Sequence, residues 1–546
     1  MSLVKKWTAM MPTRVVLAMM TSLGVVMIYM VRINLSMGII AMVQTVSASD
    51  EAAHHTRTVP YCLQRRQTDD NTNDNVSFST AAETLSNYNI GDSTELPDAA
   101  EYSYEYNLTM EELGDKMFLT SGQRGAVLAA FFYGYFLTGV LGGRLAELYG
   151  TKLVLGGSVF LSSILTLLTP IAARTHYGAL IALRAVMGLG QGVSYPSMHA
   201  MIARWVPPLE KPRFTAFVFL SSCLGIIVTM PMCGLIIDSL GWPYIFYVSG
   251  TLSLLWLGIW ARFMYETPAD HPRISKEERD YILEGIKEGT AGKKPSRVPW
   301  KQMGGSLSFW AIIVCHVGNM FGWTLLATQL PTFMSSVLGF SIKSNGALSS
   351  LPFLARYLGG NGLSWLGDWI LTRGWLSLLA TRRVFTLVGL CIPALMLAAV
   401  GYVGCNSTAA LALLCVGTFF NGAQVPGYVS NMQDIAPNLA GTLLGASTTA
   451  AHMLSMLSPM VVGVLTPDQS PEQWQSAFWV AAAVYVSTAV FFCLCCSAEL
   501  QQWNFGDSED VEAEVPQEES KVLLQEKEKG QVATEADENS AKKSAT

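Results

Sequence analysis

Long apolar runs recur about twelve times along this chain, and each approaches the roughly 20 residues that a helix needs to cross a bilayer. Charged residues make up only 14% of its 546 residues, against roughly 25% in soluble domains. The charges cluster between the apolar runs and in the tail. The sequence therefore predicts an all-α membrane protein with twelve transmembrane helices.

The predicted spans form two sets of six, which are joined by a charged central stretch. The first set covers residues 15–43, 121–142, 153–173, 178–202, 214–237 and 243–264. The second set covers 307–328, 346–366, 384–404, 409–429, 441–465 and 476–497. We expect an N-terminus at 1–14, an N-terminal half at 15–265 with an outer loop at 44–118, a central loop at 266–306, a C-terminal half at 307–498 and a tail at 499–546.

Lysine and arginine are concentrated in alternate loops, and such loops lie on the cytosolic side of a membrane. This asymmetry predicts that both termini are cytosolic and that loop 44–118 is luminal or extracellular. Two N-x-S/T sequons in that loop, at Asn75 and Asn107, are then candidate glycosylation sites. Cys62 and Cys405 face the same side in this topology, so a disulfide between them is one option. The ten cysteines show no metal-ligand spacing, and we expect no metal site.

A glycine-rich, charged turn connects the second and third spans, from Gly142 to Lys152. Its glycines allow close helix approach, and the carboxylate of Glu147 beside basic residues can form a breakable ion pair. The turn resembles the signature of the major facilitator superfamily. A weaker copy at Asp368 occupies the same place in the second half, and both acidic residues are predicted to act in gating.

Ionisable residues inside the spans are nearly all basic, and such residues are functional candidates because they are costly in a membrane. They are Arg32, Arg184, Arg356, His199, His316 and His452. No Asp or Glu lies well inside any span. A cavity lined by guanidinium groups favours an anion such as a carboxylate or phosphate. The alternative is that these arginines bond to backbone carbonyls or extend to the interface.

Several segments together resemble solute carrier family 17, and particularly its sialin-like branch. They are Arg32–Ser36, Phe131–Tyr135, Arg184–Pro196, Ala203–Glu210, Gly241–Tyr247, Leu348–Pro352, Asp434–Pro437 and Glu472–Gln475. The resemblance implies transport of organic anions by alternating access, with Arg32 and Arg184 matching the family's substrate-binding arginines. Tyr135 and Asn319 are further candidates for substrate binding.

The chain also departs from that family pattern. Met187 and Gln191 replace two glutamates that the resemblance ties to proton coupling, and Leu128 and Asn319 replace a histidine and an arginine of the glutamate-transporting branch. Two drives therefore stay open: proton-coupled export, with His316 or His452 as the titrating group, or a potential-driven carrier of organic anions, nucleotides or phosphate. Co-transported H⁺ or Na⁺ is compatible with either, and no other cofactor is expected.

The tail contains an acidic dileucine pattern, Glu519 followed by Leu523 and Leu524, of the kind that sorting adaptors bind. It favours a lysosomal or vesicular membrane, with the plasma membrane as the alternative. Expected partners are a small organic anion, the lipid bilayer and such an adaptor. The net charge of -6 mostly reflects the acidic outer loop and tail, and no nucleic-acid partner is expected. A non-transporting sensor is a rival function, whereas an enzyme would need a catalytic cluster that the sequence does not contain.

Overall fold

The structure is a computed structural model that describes residues 12–45, 60–62, 116–207, 210–290 and 298–505. All structural statements below concern these residues. Side chains of a few positions inside the helices, among them Arg144 and Glu147, also lie outside the description.

Seven helices build the N-terminal half. They are α1 (Thr13–Met42), α2 (Ser121–Tyr149), α3 (Thr151–Thr175), α4 (Tyr177–Gly192), α5 (Ser194–Trp205), α6 (Lys211–Leu240) and α7 (Pro243–Phe263). Helices α4 and α5 follow each other with only Val193 between them, so together they form one span. The half therefore contains six spans.

Two helices of the central stretch, α8 (Lys276–Thr290) and α9 (Trp300–Gly305), precede the C-terminal half. That half contains α10 (Leu307–Ser336), α11 (Ile342–Thr372), α12 (Leu378–Val400), α13 (Ser407–Asn421), α14 (Ser430–Ile435), α15 (Ala440–Ser455), α16 (Leu457–Leu465) and α17 (Pro471–Cys495). Helices α13 and α14 share one span through a 3-10 turn and a π-turn, and α15 and α16 share another.

Nine spans among the described residues are long and apolar enough to cross a membrane by length and composition. The other three are α2, the α4–α5 pair and α11, which pack among those nine. The predicted fold class of twelve helices in two halves is confirmed. We call the face where α1 begins the basic face, because Arg14, Arg204 and Arg382 lie there.

Helix starts are set by local capping. Thr120 accepts a hydrogen bond from the Gln123 backbone, and the Gln123 side chain accepts one from the Thr120 backbone. Such a capping box satisfies amide groups that a helix start leaves unpaired. Ser470 and Gln473 form a second box before α17.

Small residues let the two halves approach closely at the face opposite the basic face. A Cβ on Gly125 of α2 would lie 2.6 Å from the Pro459 carbonyl oxygen of α16. A Cβ on Gly346 of α11 would lie 2.9 Å from Cα of Gly234 on α6. Neither position has room for a side chain, so glycine at both positions is what allows this backbone contact.

The ends of the predicted outer loop form a small parallel sheet that the all-helical prediction did not include. Strand β1 (Val43–Thr45) pairs with strand β2 (Met117–Leu119) in the register Val43 to Met117. Cys62, from the same loop, forms a disulfide with Cys405 of the C-terminal half. The sequence left that bridge as an option, and the structure contains it.

Candidate functional site

Arg32 lies on α1, enclosed by aromatic rings. Its guanidinium carbon is 4.6 Å from the ring centre of Phe131, 4.9 Å from Phe132, 5.3 Å from Tyr135 and 5.4 Å from Tyr29. Ring faces attract a cation without neutralising it. No described carboxylate forms an ion pair with Arg32, so its positive charge is held in place and left available for an anion.

Arg184 on α4 is only 1% exposed. Its guanidinium donates to the side-chain oxygen of Asn34 at 3.2 Å and to the backbone oxygens of Val31 and Arg32 at 3.4 Å. Its Nε is buried and has no hydrogen-bond partner among the described residues. A buried guanidinium without a carboxylate is unusual, because an unpaired charge costs several kcal/mol to bury.

Both arginines line one cavity between the halves. The cavity encloses about 450 Å³ of space, including its opening to solvent. Leu35, Ser36, Leu128, Phe131 and Phe132 line it from the N-terminal half, and Trp323, Thr324, Ala327 and Thr328 line it from α10. Two cations, hydroxyl groups and aromatic surface therefore face a single space at the interface of the halves.

Tyr135 and His452 connect this site to the C-terminal half. Their ring centres are 4.5 Å apart, and the His452 Nδ1 lies 2.8 Å from the Thr448 carbonyl oxygen. His316 is a separate case, because its Nδ1 lies 3.0 Å from Ser447 Oγ. We call the four rings around Arg32, Tyr135 among them, the Arg32 cage. His452 adjoins this cage, whereas His316 lies beside Tyr428, with 5.6 Å between ring centres.

Asn319 and Gln191 are both fully buried. Asn319 accepts a hydrogen bond from the Asn421 side chain at 3.1 Å, within the C-terminal half. Both polar atoms of the Gln191 amide lack a partner among the described residues. Neither residue lines the arginine cavity, so their predicted roles in binding and coupling stay predictions.

Each half contributes one acid–base cluster to the basic face, in addition to the Arg14–Glu210 ion pair. Glu266, which follows α7, pairs with Arg204 and accepts hydrogen bonds from the Thr151 and Lys152 backbones at 2.7 Å and 2.9 Å. Gly150 precedes α3 with a positive φ of 88° and leaves space for this carboxylate. Glu266 thus caps the start of α3, where a negative charge is stabilising.

Arg382 and Asp434 form the corresponding cluster in the C-terminal half. Two parallel bonds of 2.6 Å and 3.1 Å join them, and Arg382 also donates to the Pro426 carbonyl at 2.7 Å. Asp368, the predicted latch of this half, is exposed and forms no ion pair with a described residue. Its gating role stays a prediction.

Sequence reasoning missed Asn34, Glu266 and Asp434. Asn34 lies in the Arg32–Ser36 segment of the family resemblance, but no role was assigned to it. Glu266 lies at the start of the charged central stretch, and Asp434 lies in a segment that carried the family resemblance. Next to the Glu266 cluster, His271 packs against Trp205 and Tyr265, and this burial, together with the nearby Arg273, lowers its pKa.

Some predicted residues lie outside the described part of the chain. They are the Glu147 side chain, the sequon residues Asn75 and Asn107, and the sorting residues Glu519, Leu523 and Leu524. In the part that is described, no group of His, Cys, Asp and Glu side chains is arranged to hold a metal ion.

Two six-helix halves around a central cavity define a multi-pass membrane transporter of the major facilitator class. The Major Facilitator Superfamily model matches residues 99–459. The chain is 38% identical to sheep sialin over 79% of this chain and 87% of sialin. It is 38% identical to a putative inorganic phosphate cotransporter of Drosophila melanogaster, over 70% and 74% of the two chains. Mouse vesicular glutamate transporter 2 is 34% identical, over 71% and 67%.

Solved structures support the same fold. A bacterial homologue of the lysosomal transporter Spinster, inward-facing and occupied, aligns with a TM-score of 0.57 at 13% identity, over 89% of this chain and 97% of that one. The chain belongs to the Major Facilitator Superfamily and, within it, to solute carrier family 17. The relatives are named as transporters and cotransporters rather than enzymes, as expected from the sequence.

Proposed function

We propose that this protein is a secondary transporter of small organic anions that works by alternating access. The observation that carries the proposal is the pair Arg32 and Arg184, which face one central cavity without a neutralising carboxylate among the described residues. Because the cavity lies between the halves, a bound anion can be exposed to one side of the membrane and then to the other. Arg184 is buried and held by Asn34, and Arg32 is held by aromatic rings.

The cargo class follows from the same chemistry. A guanidinium binds a carboxylate or phosphate through two hydrogen bonds, and the cavity adds hydroxyl groups and aromatic surface. An acidic sugar has the matching combination of anionic charge, several hydroxyls and an apolar ring face. Similarity to sialin supports this choice over phosphate alone or an acidic amino acid.

The drive and the membrane belong to the same proposal. A proton-coupled mechanism would use His452, which adjoins the Arg32 cage, or His316, because no described Asp or Glu lies in the cavity. A potential-driven mechanism is the alternative and is favoured by the uncharged Gln191. The relatives and the predicted dileucine signal support a lysosomal or vesicular membrane. The Lys and Arg asymmetry of the loops supports cytosolic termini.

Uptake into proteoliposomes tests the function. The labelled panel contains an acidic sugar, an acidic amino acid, a nucleotide and phosphate, each under an imposed pH gradient or membrane potential. Arg32→Gln and Arg184→Ala should each abolish uptake in well-folded protein. The matched control is Arg262→Ala, because Arg262 is exposed at the end of α7 and also lies over a ring, that of Phe263.

Normal uptake by folded Arg32→Gln and Arg184→Ala variants would refute the proposed anion site. Ligand binding without flux in the wild type would instead support the sensor. Uptake that needs the pH gradient supports proton coupling, and uptake that needs only the potential supports an electrogenic carrier.

A further inference from the structure

A third arginine, Arg356, lies near the middle of the 31-residue helix α11. Its depth excludes the simplest structural explanation, in which a long basic side chain reaches a nearby membrane surface. Residues of this kind face the interior of a helix bundle and mark functional sites. Arg356 belongs to the C-terminal half, whereas Arg32 and Arg184 belong to the N-terminal half.

The neighbours of Arg356 place it inside the bundle. Its guanidinium carbon is 4.0 Å from the ring centre of Trp323 on α10. It interacts electrostatically with Tyr428 in the π-turn before α14 and with Tyr485 on α17. Cys223 of α6 is a further neighbour. These neighbours come from four other elements, so Arg356 faces the helix bundle, and its side chain is partly exposed.

No described carboxylate forms an ion pair with Arg356. The cation–π contact with Trp323 is attractive, but it leaves the positive charge in place. Arg356 therefore resembles Arg32 in its electrostatics: a guanidinium held by an aromatic ring and available to an anion.

Trp323 is the residue that connects Arg356 with the central cavity. The same indole that stacks on Arg356 also lines the cavity that contains Arg32 and Arg184. The ring thus contacts Arg356 and the cavity at the same time. Phe353 packs edge-on against Trp323 at 5.2 Å between ring centres.

We infer that Arg356 binds a second anionic group of the substrate and that the transporter prefers organic dianions over monoanions. This inference rests on the proposed function. One acidic group of the substrate binds Arg32 and Arg184, and the other binds Arg356 once Trp323 moves aside. A dianion can then contact both halves at once and draw them together around itself. A monoanion can satisfy only one half.

Two matched pairs of organic acids test the inference. Gluconate carries one carboxylate and glucarate carries two on the same six-carbon chain; succinamate and succinate form a second pair. Concentration-dependent uptake is measured for each in proteoliposomes with the wild type, Arg356→Gln and Arg356→Lys. Arg373→Gln is the matched control, because Arg373 lies over a ring too, that of Trp369 at 5.6 Å, but is exposed at the end of α11.

The wild type should take up glucarate and succinate with a lower KM than their one-carboxylate partners. Arg356→Gln should raise the dianion KM by about tenfold or more, since a hydrogen-bonded charge pair is lost, and should leave the monoanion KM within about twofold. Arg356→Lys should restore most of the preference, and Arg373→Gln should change nothing. A purely structural role would instead alter both members of each pair equally.

Four results would overturn the inference. A wild type that prefers monoanions, or an Arg356→Gln variant that keeps the dianion preference, overturns this assignment alone, provided that Arg32→Gln abolishes uptake. An equal loss for monoanions and dianions assigns Arg356 to structure. A wild type that takes up none of the anions under either gradient overturns the proposed function and this inference with it.

Discussion

Arg184 donates a hydrogen bond from its guanidinium to the side-chain oxygen of Asn34, across 3.2 Å between the first and fourth spans. The Asn34 nitrogen in turn donates to Ser249 Oγ at 2.8 Å. Asn34 therefore orients the arginine without neutralising it. A carboxylate at the same position would keep the geometry and remove the available charge.

We therefore predict that Asn34→Asp strongly inhibits anion uptake. The new carboxylate would form an ion pair with Arg184 and compete with the substrate, which should raise KM by about tenfold or more. Asn34→Ala should have a smaller effect, because it loses one hydrogen bond but leaves the cation unpaired. Concentration-dependent uptake of the best panel substrate measures both.

The control for that charge change is Asn406→Asp. Asn406 caps α13 through its side-chain oxygen, and aspartate caps helices equally well. Uptake by this control should be unchanged. If Asn34→Asp transported as well as the wild type, Arg184 would not contact the substrate.

Twelve spans could be predicted from the sequence because hydrophobic length alone specifies a membrane helix. The helix ends could not. The second span was predicted to end at residue 142, but α2 continues to Tyr149, since Arg144 and Glu147 lower hydropathy without ending a helix. The π-turn at Val425–Val429 and the sheet at the loop ends gave no hydropathy signal.

The cations of the site could be predicted, and their partners could not. A buried arginine is visible in a sequence because charge is rare inside apolar runs. Its partner depends on which helices pack together, and Asn34 is 150 positions from Arg184. The same limit explains why Asp368 was preferred to Asp434: both lie near the basic face, and only the folded chain brings one of them to Arg382.

Gln191 provides a test of ion coupling. Its amide is fully buried and both polar atoms lack partners among the described residues, so the site can accept a group of the same size. In Gln191→Glu the new carboxyl would favour its protonated form in this apolar surrounding and could release the proton when water enters. We predict that uptake becomes dependent on an imposed pH gradient.

The measurement is uptake at fixed membrane potential, with and without the pH gradient, together with proton flux reported by a trapped dye. The control is Gln475→Glu, because Gln475 lies at the start of α17, outside the cavity. If uptake by Gln191→Glu depends on the pH gradient no more than uptake by the wild type, this position has no role in the coupling mechanism.

The two acid–base clusters of the basic face should contribute unequally to stability. Side chains of Arg382 and Asp434 are 10% and 14% exposed, whereas those of Arg204 and Glu266 are 33% and 29% exposed. Burial reduces screening, so Asp434→Asn should cost about 2 to 4 kcal/mol and Glu266→Gln about 1 kcal/mol or less from the ion pair. The glutamine side-chain oxygen can still accept the hydrogen bond from the Thr151 backbone amide.

Melting temperatures of the purified variants in detergent measure this difference. Asp280→Asn is the control. The side chains of Asp280 and its partner Arg279 are 57% and 40% exposed, so this ion pair should contribute nothing measurable to stability. A larger loss for Glu266→Gln than for Asp434→Asn would contradict the ranking and would indicate that capping of α3 dominates the energy of that cluster.

The Cys62–Cys405 disulfide links the first outer loop to the C-terminal half, and Cys62 also donates its backbone amide to the Val337 carbonyl at 3.2 Å. Disulfides persist in oxidising compartments, so we predict that this face is luminal or extracellular. We predict that Cys62→Ser lowers the melting temperature, by an amount that corresponds to about 2 to 4 kcal/mol. Cys405→Ser should lower it equally, and the double variant should lose no more than either single variant, because all three remove one bond.

Free Cys391 supplies the control Cys391→Ser, which should leave the melting temperature unchanged. Peptide mapping without reductant should recover the linked pair, and alkylation of both thiols in unreduced protein would contradict the bridge.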